Sequence, residues 1–385
     1  MFNSVIVHYG EIGIKGKNRS FFEKKLVENI RWNIKNINFL SVKRIFGRII
    51  IEIDKSTKIN ELKSKLENIF GISNFSFGVK AELDIEDIKS KSLDLISNKI
   101  KTFRIKATRA NKKFKYSSSE LNNIIGEHVV RNKKLKVDLD NADQTLFIEI
   151  VENNAFLYNE KIKSLDGLPV GVSGKVISLI SGGIDSPVSS YLVMKRGCSV
   201  IFVHFFNSTI NTKQSLDKVI NLVNVLSKYQ FKTKLYLVPF EDIQKEIIKQ
   251  VPSKYRMIIY KRYMLQISEK ILENENALAL IDGANIGQVA SQTLSNISVI
   301  NKATKYSVLS PLLGFDKEEI IQIAKKINTF ELSILPYQDC CSFLISEHPA
   351  TTSNINEVND FEFKLNKKEL IDKAIQNSII KKILN

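Results

Sequence analysis

Apolar and polar residues change rhythm partway along the chain. Residues 4–9 alternate as in a half-buried strand, and a polar Gly-rich stretch, Gly10 to Asn18, leads into a helix-like run from Ser20 to Ile37. Val42 to Ile53 predicts two strands about a turn at Gly47, and Lys58 to Phe70 a helix. From Leu83 to Glu160 a second unit repeats the mixture. Ile85–Lys101 and Ser118–Val130 are helix-like, the latter with Ser and Glu near its start as capping groups. Thr102–Thr108 is a strand, and Thr145–Val151 can pair with Asn154–Tyr158. Both units are small α+β arrangements.

After the glycines of Gly167-Leu168-Pro169-Val170-Gly171-Val172-Ser173-Gly174, short apolar runs without clean alternation take turns with helical patterns. The runs are Lys175–Ile180, Ser199–Phe206, Lys234–Val238 and Ala277–Asp282. The helices are Pro187–Arg196, Gln214–Tyr229 and Arg256–Leu272. Strands apolar on both sides, each followed by a helix, predict an α/β doubly wound sheet with parallel strands. The tail after Asn359 reads as a Lys-decorated terminal helix. The domains expected are 1–60, 61–165, a linker at 166–174, and 175–385.

Composition adds one constraint. With 43% hydrophobic and 25% charged residues the chain can build real cores, and its net charge of +16, spread along its length, fits a polyanionic partner such as nucleic acid. No apolar run is long enough for a membrane span and no secretory signal is visible. Three cysteines do not make a disulfide framework, so the reducing cytoplasm is the expected location.

The sharpest local signal follows the first apolar run of the third region. Leu179 and Ile180 deliver the chain into Ser181-Gly182-Gly183-Ile184-Asp185-Ser186, with Pro187 where a helix start tolerates a missing N–H. Strand, Gly-rich turn and helix start together make an anion site. Ser181 and Ser186 can donate to phosphate oxygens, and Asp185 suggests a Mg²⁺ ion balancing the phosphates. Neither the Walker pattern nor the dinucleotide Gly-x-Gly-x-x-Gly pattern is present. The competing reading is a glycine turn without a ligand.

This loop resembles the PP-loop of ATP pyrophosphatases, and the longer string Ser181 to Ser189 resembles the form found in tRNA 4-thiouridine synthases (tRNA sulfurtransferases, the ThiI family). Further strings are similar to that family: Tyr9 to Arg19, as at the start of its ferredoxin-like domain; Lys112-Lys113-Phe114, Ser118-Ser119-Glu120 and Val137 to Asp143, as in its THUMP domain; Gly167 to Gly171; Asp282 to Thr293; and Pro311 to Ile320. The resemblance runs from Tyr9 to about Pro349. Ala284, Ser310 and Asp166 depart from it, standing where Glu, Arg and Gly are usual.

The resemblance implies ATP-dependent adenylation of the C4 oxygen of uridine 8 in tRNA and its replacement by sulfur, with a further role in thiamine thiazole synthesis known in the family. It implies ATP contacts at Leu179, Ile180, Ser181, Gly182, Gly183, Asp185, Ser186, His204, Phe205, at least one of Lys261 and Arg262, Gly283 and Gln292. A PP-loop enzyme adenylating a small molecule or a sulfur-carrier protein, and a non-catalytic RNA-binding protein, are the alternatives.

Adjacent Cys340 and Cys341 are too close for an unstrained mutual disulfide and too few for a zinc or four-cysteine cluster site, which leaves buried small hydrophobes or a reactive thiol. The resemblance places the catalytic cysteine here, Cys340 matching better and Cys341 being the fallback, with Asp185 completing the catalytic set. Lys15, Lys17, Arg19, Arg104, Lys106, Arg109, Lys112, Lys113 and Lys115 are the candidate tRNA phosphate contacts. Many relatives carry a C-terminal rhodanese-like domain. None is expected here, so sulfur should arrive from a cysteine desulfurase or as free sulfide. A homodimer is the oligomer considered.

Overall fold

The protein is described from a computed structural model covering residues 2–209, 213–336 and 348–384. The expected catalytic pair, Cys340 and Cys341, lies outside the described residues. The chain forms two compact units, Met1–Pro169 and Val170–Asn385.

The first unit is built on one sheet. Its strands are β1 (Ser4–His8), β2 (Ser41–Ile45), β3 (Arg48–Glu52), β4 (Asn74–Glu82), β5 (Thr102–Arg109), β6 (Lys136–Val137), β7 (Gln144–Val151), β8 (Asn154–Tyr158) and β9 (Ile162–Lys163). Their order is β2-β3-β1-β4-β8-β7-β5-β6, with β9 beside β4. The expected boundary at residue 60 falls inside the helix Ile59–Leu66, and the two expected N-terminal domains share this sheet. They join through β4, which pairs with β1 on one side and β8 on the other.

β4 was not anticipated from the sequence. On one of its faces stand Ser76 and Gly78, which dilute the apolar signal. A Cβ on Gly78 would lie 2.5 Å from the Leu157 carbonyl oxygen and 3.0 Å from Ile6, so the small residue is demanded by close strand packing.

One core, with Val5, Val7, Leu26, Ile30, Leu62 and Phe75, lies under the helices Arg19–Asn33 and Ile59–Leu66. A second, with Phe103, Ile105, Leu121, Ile125, Ile148 and Leu157, lies under Ile85–Leu95 and Ser118–Lys133. The latter helix is started by a capping box between Ser117 and Glu120. The opposite face holds Ile6, Ile50, Val151, Phe156 and Tyr158.

There, Glu149 of β7 accepts from Arg48 Nε of β3 at 2.7 Å and from Tyr158 OH at 2.5 Å, and meets His8 Nε2 of β1 at 2.7 Å. Three strands separate β3 from β7, roughly 19 Å at the usual spacing. These contacts therefore require the sheet to curl over its own face. Burial pushes the Glu149 carboxyl up, but the His8 hydrogen bond and charge, the Arg48 charge and the Tyr158 hydroxyl outweigh it and hold it at about 2.

The second unit is the expected doubly wound sheet. β10 (Lys175–Leu179), β11 (Ser199–Phe206), β12 (Lys232–Pro239), β13 (Ala279–Ile281), β14 (Val308–Leu309) and β15 (Ile379–Leu384) lie in the order β14-β13-β10-β11-β12-β15. All neighbouring pairs are parallel except β12 with β15. The tail corrects the expectation of a terminal helix. It forms helices Ile355–Phe363 and Lys367–Gln376, then the edge strand β15. The pairing partner that makes Ile379 to Leu384 a strand, β12, lies about 150 residues earlier, beyond the reach of any local pattern.

At the junction of the units Asp166 and Gly167 both take positive φ, +56° and +78°. Asp tolerates this left-handed backbone better than most residues, which accounts for its standing where glycine is usual.

Candidate active site at the glycine-rich loop

β10 is central, and its loop opens at the carboxyl ends of parallel strands, where such sheets bind ligands. The helix that follows runs Asp185–Lys195, so Pro187 sits among the first N–H positions, which have no intrahelical acceptor. Buried hydroxyls fasten this helix to its neighbours. Ser189 Oγ donates to the Asp282 carbonyl at 2.5 Å, and Ser190 Oγ donates to the Ser186 carbonyl at 2.8 Å and lies 2.9 Å from Ser178 Oγ.

Within the loop, Ser186 Oγ accepts from Ser181 N at 2.9 Å, and Ser181 Oγ accepts from Gly183 N at 3.3 Å. Gly283, expected beside a nucleotide, is required by the loop itself: a Cβ there would lie 2.9 Å from Ser186 N and 3.1 Å from its Cα.

A cavity of about 250 Å³ opens against this loop, walled by Leu179, Ser181, Asp185, Ser186, Lys261, Met264, Leu265, Asp282, Gly283, Ala284, Gln292 and Ile300. Seven expected residues thus line one cavity: Leu179, Ser181, Asp185, Ser186, Lys261, Gly283 and Gln292. Gly182 and Gly183 form the turn, and Ile180 supports it from below, its carbonyl 2.9 Å from His204 Nδ1.

The other three expected residues lie away from both the cavity lining and the loop turn or are turned into the core. His204 is buried beneath the loop on that carbonyl contact. Phe205 packs edge-on against Phe240, ring centres 5.4 Å apart, in the core. Arg262, one helix position from Lys261, turns into the protein: its Nε and Nη2 donate to Glu362 at 2.8 and 2.9 Å and its Nη1 to the Val299 carbonyl at 2.6 Å. Successive residues on a helix point about 100° apart, so of this pair Lys261 is the one directed to the cavity.

The site also gathers residues that the sequence motifs contained without singling out. Lys317 Nζ lies 2.7 Å from Asp185 Oδ1, and Gln288 Nε2 donates to Asp185 Oδ2 at 3.2 Å. Asn285 Nδ2 donates to the Phe315 carbonyl at 2.6 Å, tying the loop that bears Gln288 to the start of the helix Lys317–Lys326. Ala284 leaves no carboxylate at its position on the wall, whereas Asp282 and Asp185 supply two. No cluster of three or more His, Cys, Asp or Glu that could hold a metal occurs among the described residues.

In the first unit the expected basic residues divide. Arg19 is tied to Tyr9 OH at 2.6 Å and to Glu23 at 2.9 Å, Arg104 to the Leu139 carbonyl at 2.7 Å, and Arg109 to the carbonyls of Phe114 and Tyr116 at 2.9 and 3.0 Å. Lys17, Lys106, Lys112, Lys113 and Lys115 are exposed, and Lys15 lies over the Phe22 ring. Lys17, Arg19 and Arg44 line a hollow of about 470 Å³ together with Phe46, Glu23 and Glu152. No helix among the described residues is long and apolar enough to cross a membrane.

Comparison with known proteins agrees with this layout. Residues 4–76 match the ThiI ferredoxin-like domain, 82–160 the THUMP domain, and 171–367 the thiamine biosynthesis protein (ThiI) family. The chain is 41% identical to a probable tRNA sulfurtransferase of Caldanaerobacter subterraneus subsp. tengcongensis, across 97% of this chain and 98% of that one. It is 38% identical to one of Brevibacillus brevis, across 99% and 96%. A crystal structure of a 4-thiouridine synthetase–RNA complex with bound ATP superposes with a TM-score of 0.90 over all of both chains at 38% identity. PH1313 from Pyrococcus horikoshii Ot3 superposes at 0.67 with 28% identity, over 85% and 99%. A glycine-rich loop at the head of a doubly wound sheet, preceded by ferredoxin-like and THUMP modules, therefore places this chain in the ThiI family.

Proposed function

We propose that the chain is an ATP-dependent tRNA sulfurtransferase that forms 4-thiouridine at position 8. The observation that carries this reading is the gathering of Ser181, Asp185, Ser186, Lys261 and Gln292 in the lining of one cavity at the glycine-rich loop, in a chain whose first unit displays exposed lysines.

The C4 oxygen of uridine attacks the α-phosphorus of ATP. A new P–O bond forms, the bond to the β-phosphate oxygen breaks, and pyrophosphate leaves. Loop N–H groups, the Ser181 and Ser186 hydroxyls and Lys261 offset the charge growing on the phosphates. Hydrosulfide, or the outer sulfur of a persulfide from a cysteine desulfurase, then bonds to C4 as the C4–O bond breaks, and AMP departs with the oxygen. From hydrosulfide this gives 4-thiouridine directly with loss of a proton. From a persulfide on Cys340, the C4-bound disulfide needs a second, external thiol, which attacks the Cys340 sulfur; the S–S bond to the C4 sulfur breaks, thiouridine is released, and Cys340 and the external thiol are left as a mixed disulfide.

The donor set fits Mg²⁺ of the kind held by one or two carboxylates and the nucleotide's own phosphates: Asp185, with Asp282 in the lining of the same cavity, would hold it, and it would supply Lewis-acid charge neutralisation. Asp185 is meanwhile kept oriented by Lys317 and Gln288. The exposed lysines grip RNA phosphates without reading sequence. A part in thiamine synthesis, named in the family's description, would draw on the same sulfur route and not on the RNA grip.

The test is incubation of the purified protein with unmodified tRNA, ATP, Mg²⁺ and sulfide, or a desulfurase with cysteine, followed by near-ultraviolet absorbance of thiouridine. Absence of product under every sulfur supply sinks the proposal. Pyrophosphate release that needs no tRNA, with RNA binding indifferent to salt, would favour a small-molecule substrate instead.

A further inference from the structure

The chain leaving β13 passes Gly283 and Ala284 in the cavity lining and then turns through residues 286–289. Hydrogen bonds brace this turn. Asn285 N donates to Gln292 Oε1 at 3.3 Å, Gly287 N to the Gln292 carbonyl at 3.0 Å, and Gln292 N to the Val289 carbonyl at 2.8 Å. Gly287 takes a φ of +77°, a left-handed conformation that glycine adopts readily.

The braced turn carries Ile286 and Val289 into water, 45% and 52% exposed. One exposed apolar residue is ordinary and needs no explanation. Two within four residues, on a turn that also reaches the Asp185 carboxylate, do need one. Gln288 makes that reach, its Nε2 donating to Asp185 Oδ2 at 3.2 Å. A side-chain amide has two N–H donors and an oxygen acceptor, so the bond to Asp185 leaves one N–H and the oxygen for a ligand.

Apolar surface beside a hydrogen-bonding amide is the combination with which enzymes hold a nucleobase taken out of its stack, the faces against apolar side chains and the edge against polar groups. A uracil that attacks an α-phosphate through its C4 oxygen keeps N3–H and O2 for recognition. The Gln288 amide complements that pair: Oε1 accepts from N3–H, and the second Nε2–H donates to O2 while the first stays on Asp185. Cytosine presents a lone pair at N3 and would set acceptor against acceptor. Adenine also has an edge that an amide can pair with, but in ATP it stands at the end away from the phosphates, and Gln288 is tied to the anion-binding loop.

We propose that residues 286–289 form a lip that receives the reacting uracil, with Ile286 and Val289 against its ring and Gln288 reading its N3–H and O2 edge. The proposal rests on the 4-thiouridine reading given above and adds to it the groups that select the base.

The full-length protein and Gln288→Ala are compared in pyrophosphate release on two tRNAs, one with uridine at position 8 and one with 2-thiouridine there. The sulfur of the latter is a poor acceptor, while its C4 oxygen is intact. The parent is expected to lose about 3- to 10-fold in kcat/KM on the 2-thio tRNA, the worth of one hydrogen bond. Gln288→Ala should fall at least as far on the uridine tRNA and then treat the two tRNAs alike. A fall by the same factor on both tRNAs means that Gln288 acts on Asp185 alone, and it overturns the proposal. So does an effect confined to the KM for ATP.

The apolar part of the lip is read separately. Ile286→Ser combined with Val289→Ser, both at exposed positions the fold tolerates, should raise the KM for tRNA about 5- to 10-fold with kcat little changed. An unaltered KM removes the lip. A parent that releases no pyrophosphate on either tRNA sinks the 4-thiouridine reading and the lip with it, whereas an active parent with the wrong pattern sinks the lip alone.

Discussion

Glu149 in the first unit and Asp185 in the second are both carboxylates paired to cations, and their surroundings make them opposites. Glu149 is 6% exposed in its side chain and held on Arg48, His8 and Tyr158 from three other strands. Asp185 is 21% exposed, at the rim of a cavity, with Lys317 itself 46% exposed. The first pair cannot exchange partners without opening the sheet. The second can release its lysine to a phosphate or a metal ion at little cost, because water and ligand compete for it on nearly equal terms. Burial, rather than residue type, decides which ion pair is fixed in the fold and which can exchange its partner.

The sharpest way to break this contrast is Glu149→Ala. Removing one partner of a buried cluster leaves Arg48 and His8 uncompensated, so a loss of about 3–5 kcal/mol in urea unfolding of the first unit is expected, with RNA binding falling alongside. Acid probes the same group without mutation. The Glu149 carboxyl titrates at about 2 in the fold against an ordinary 4.5. A lowered folded pKa means that its contribution is complete above pH 4.5 and is lost as pH falls from there toward 2. That amounts to about 3 kcal/mol, readable as a steeper acid denaturation in the parent than in Glu149→Gln.

Asp185→Ala should do the reverse. Melting temperature holds to within a degree or two, while pyrophosphate release on tRNA falls roughly 10²- to 10³-fold, the range for loss of a preorganised electrostatic group. Comparable destabilisation in the two variants would erase the distinction. Gly283→Ala lies between the extremes, since its Cβ meets the Ser186 backbone. It should cost about 1–3 kcal/mol and weaken ATP binding measured by calorimetry. The smallest effect is expected for Asp166→Gly. The left-handed strain it relieves is offset by added freedom in the unfolded chain, leaving a change under about 1 kcal/mol in the same melts.

The loop was legible because its chemistry is local. Strand, glycines and helix start are contiguous from Leu179 to Ser186, and anion binding follows from backbone geometry that the residues themselves set. The parallel strands were legible for a similar reason: burial on both faces writes an apolar run into each. Arg262 was not separable from Lys261, because the choice between cavity and core depends on where Glu362 arrives, a hundred residues later. Lys317 and Gln288 were visible as motif letters without a role until folding brought them to Asp185.

Chain order and local physics settled the α/β sheet, the anion-binding loop and the basic character of the first unit. Contacts between distant segments settled the rest. β4 is a central strand whose inward side is kept small by the close approach of Leu157, and β15 is a strand because β12 offers it an edge. Phe205 belongs to the core and Lys261 to the cavity because the packing of neighbouring elements fixes which way each side chain faces. Hydrogen-bonding pattern and apolar period are properties of a few neighbouring residues. Which buried charge meets which partner, and which glycine is forced by a passing backbone, exist only once the chain has closed on itself.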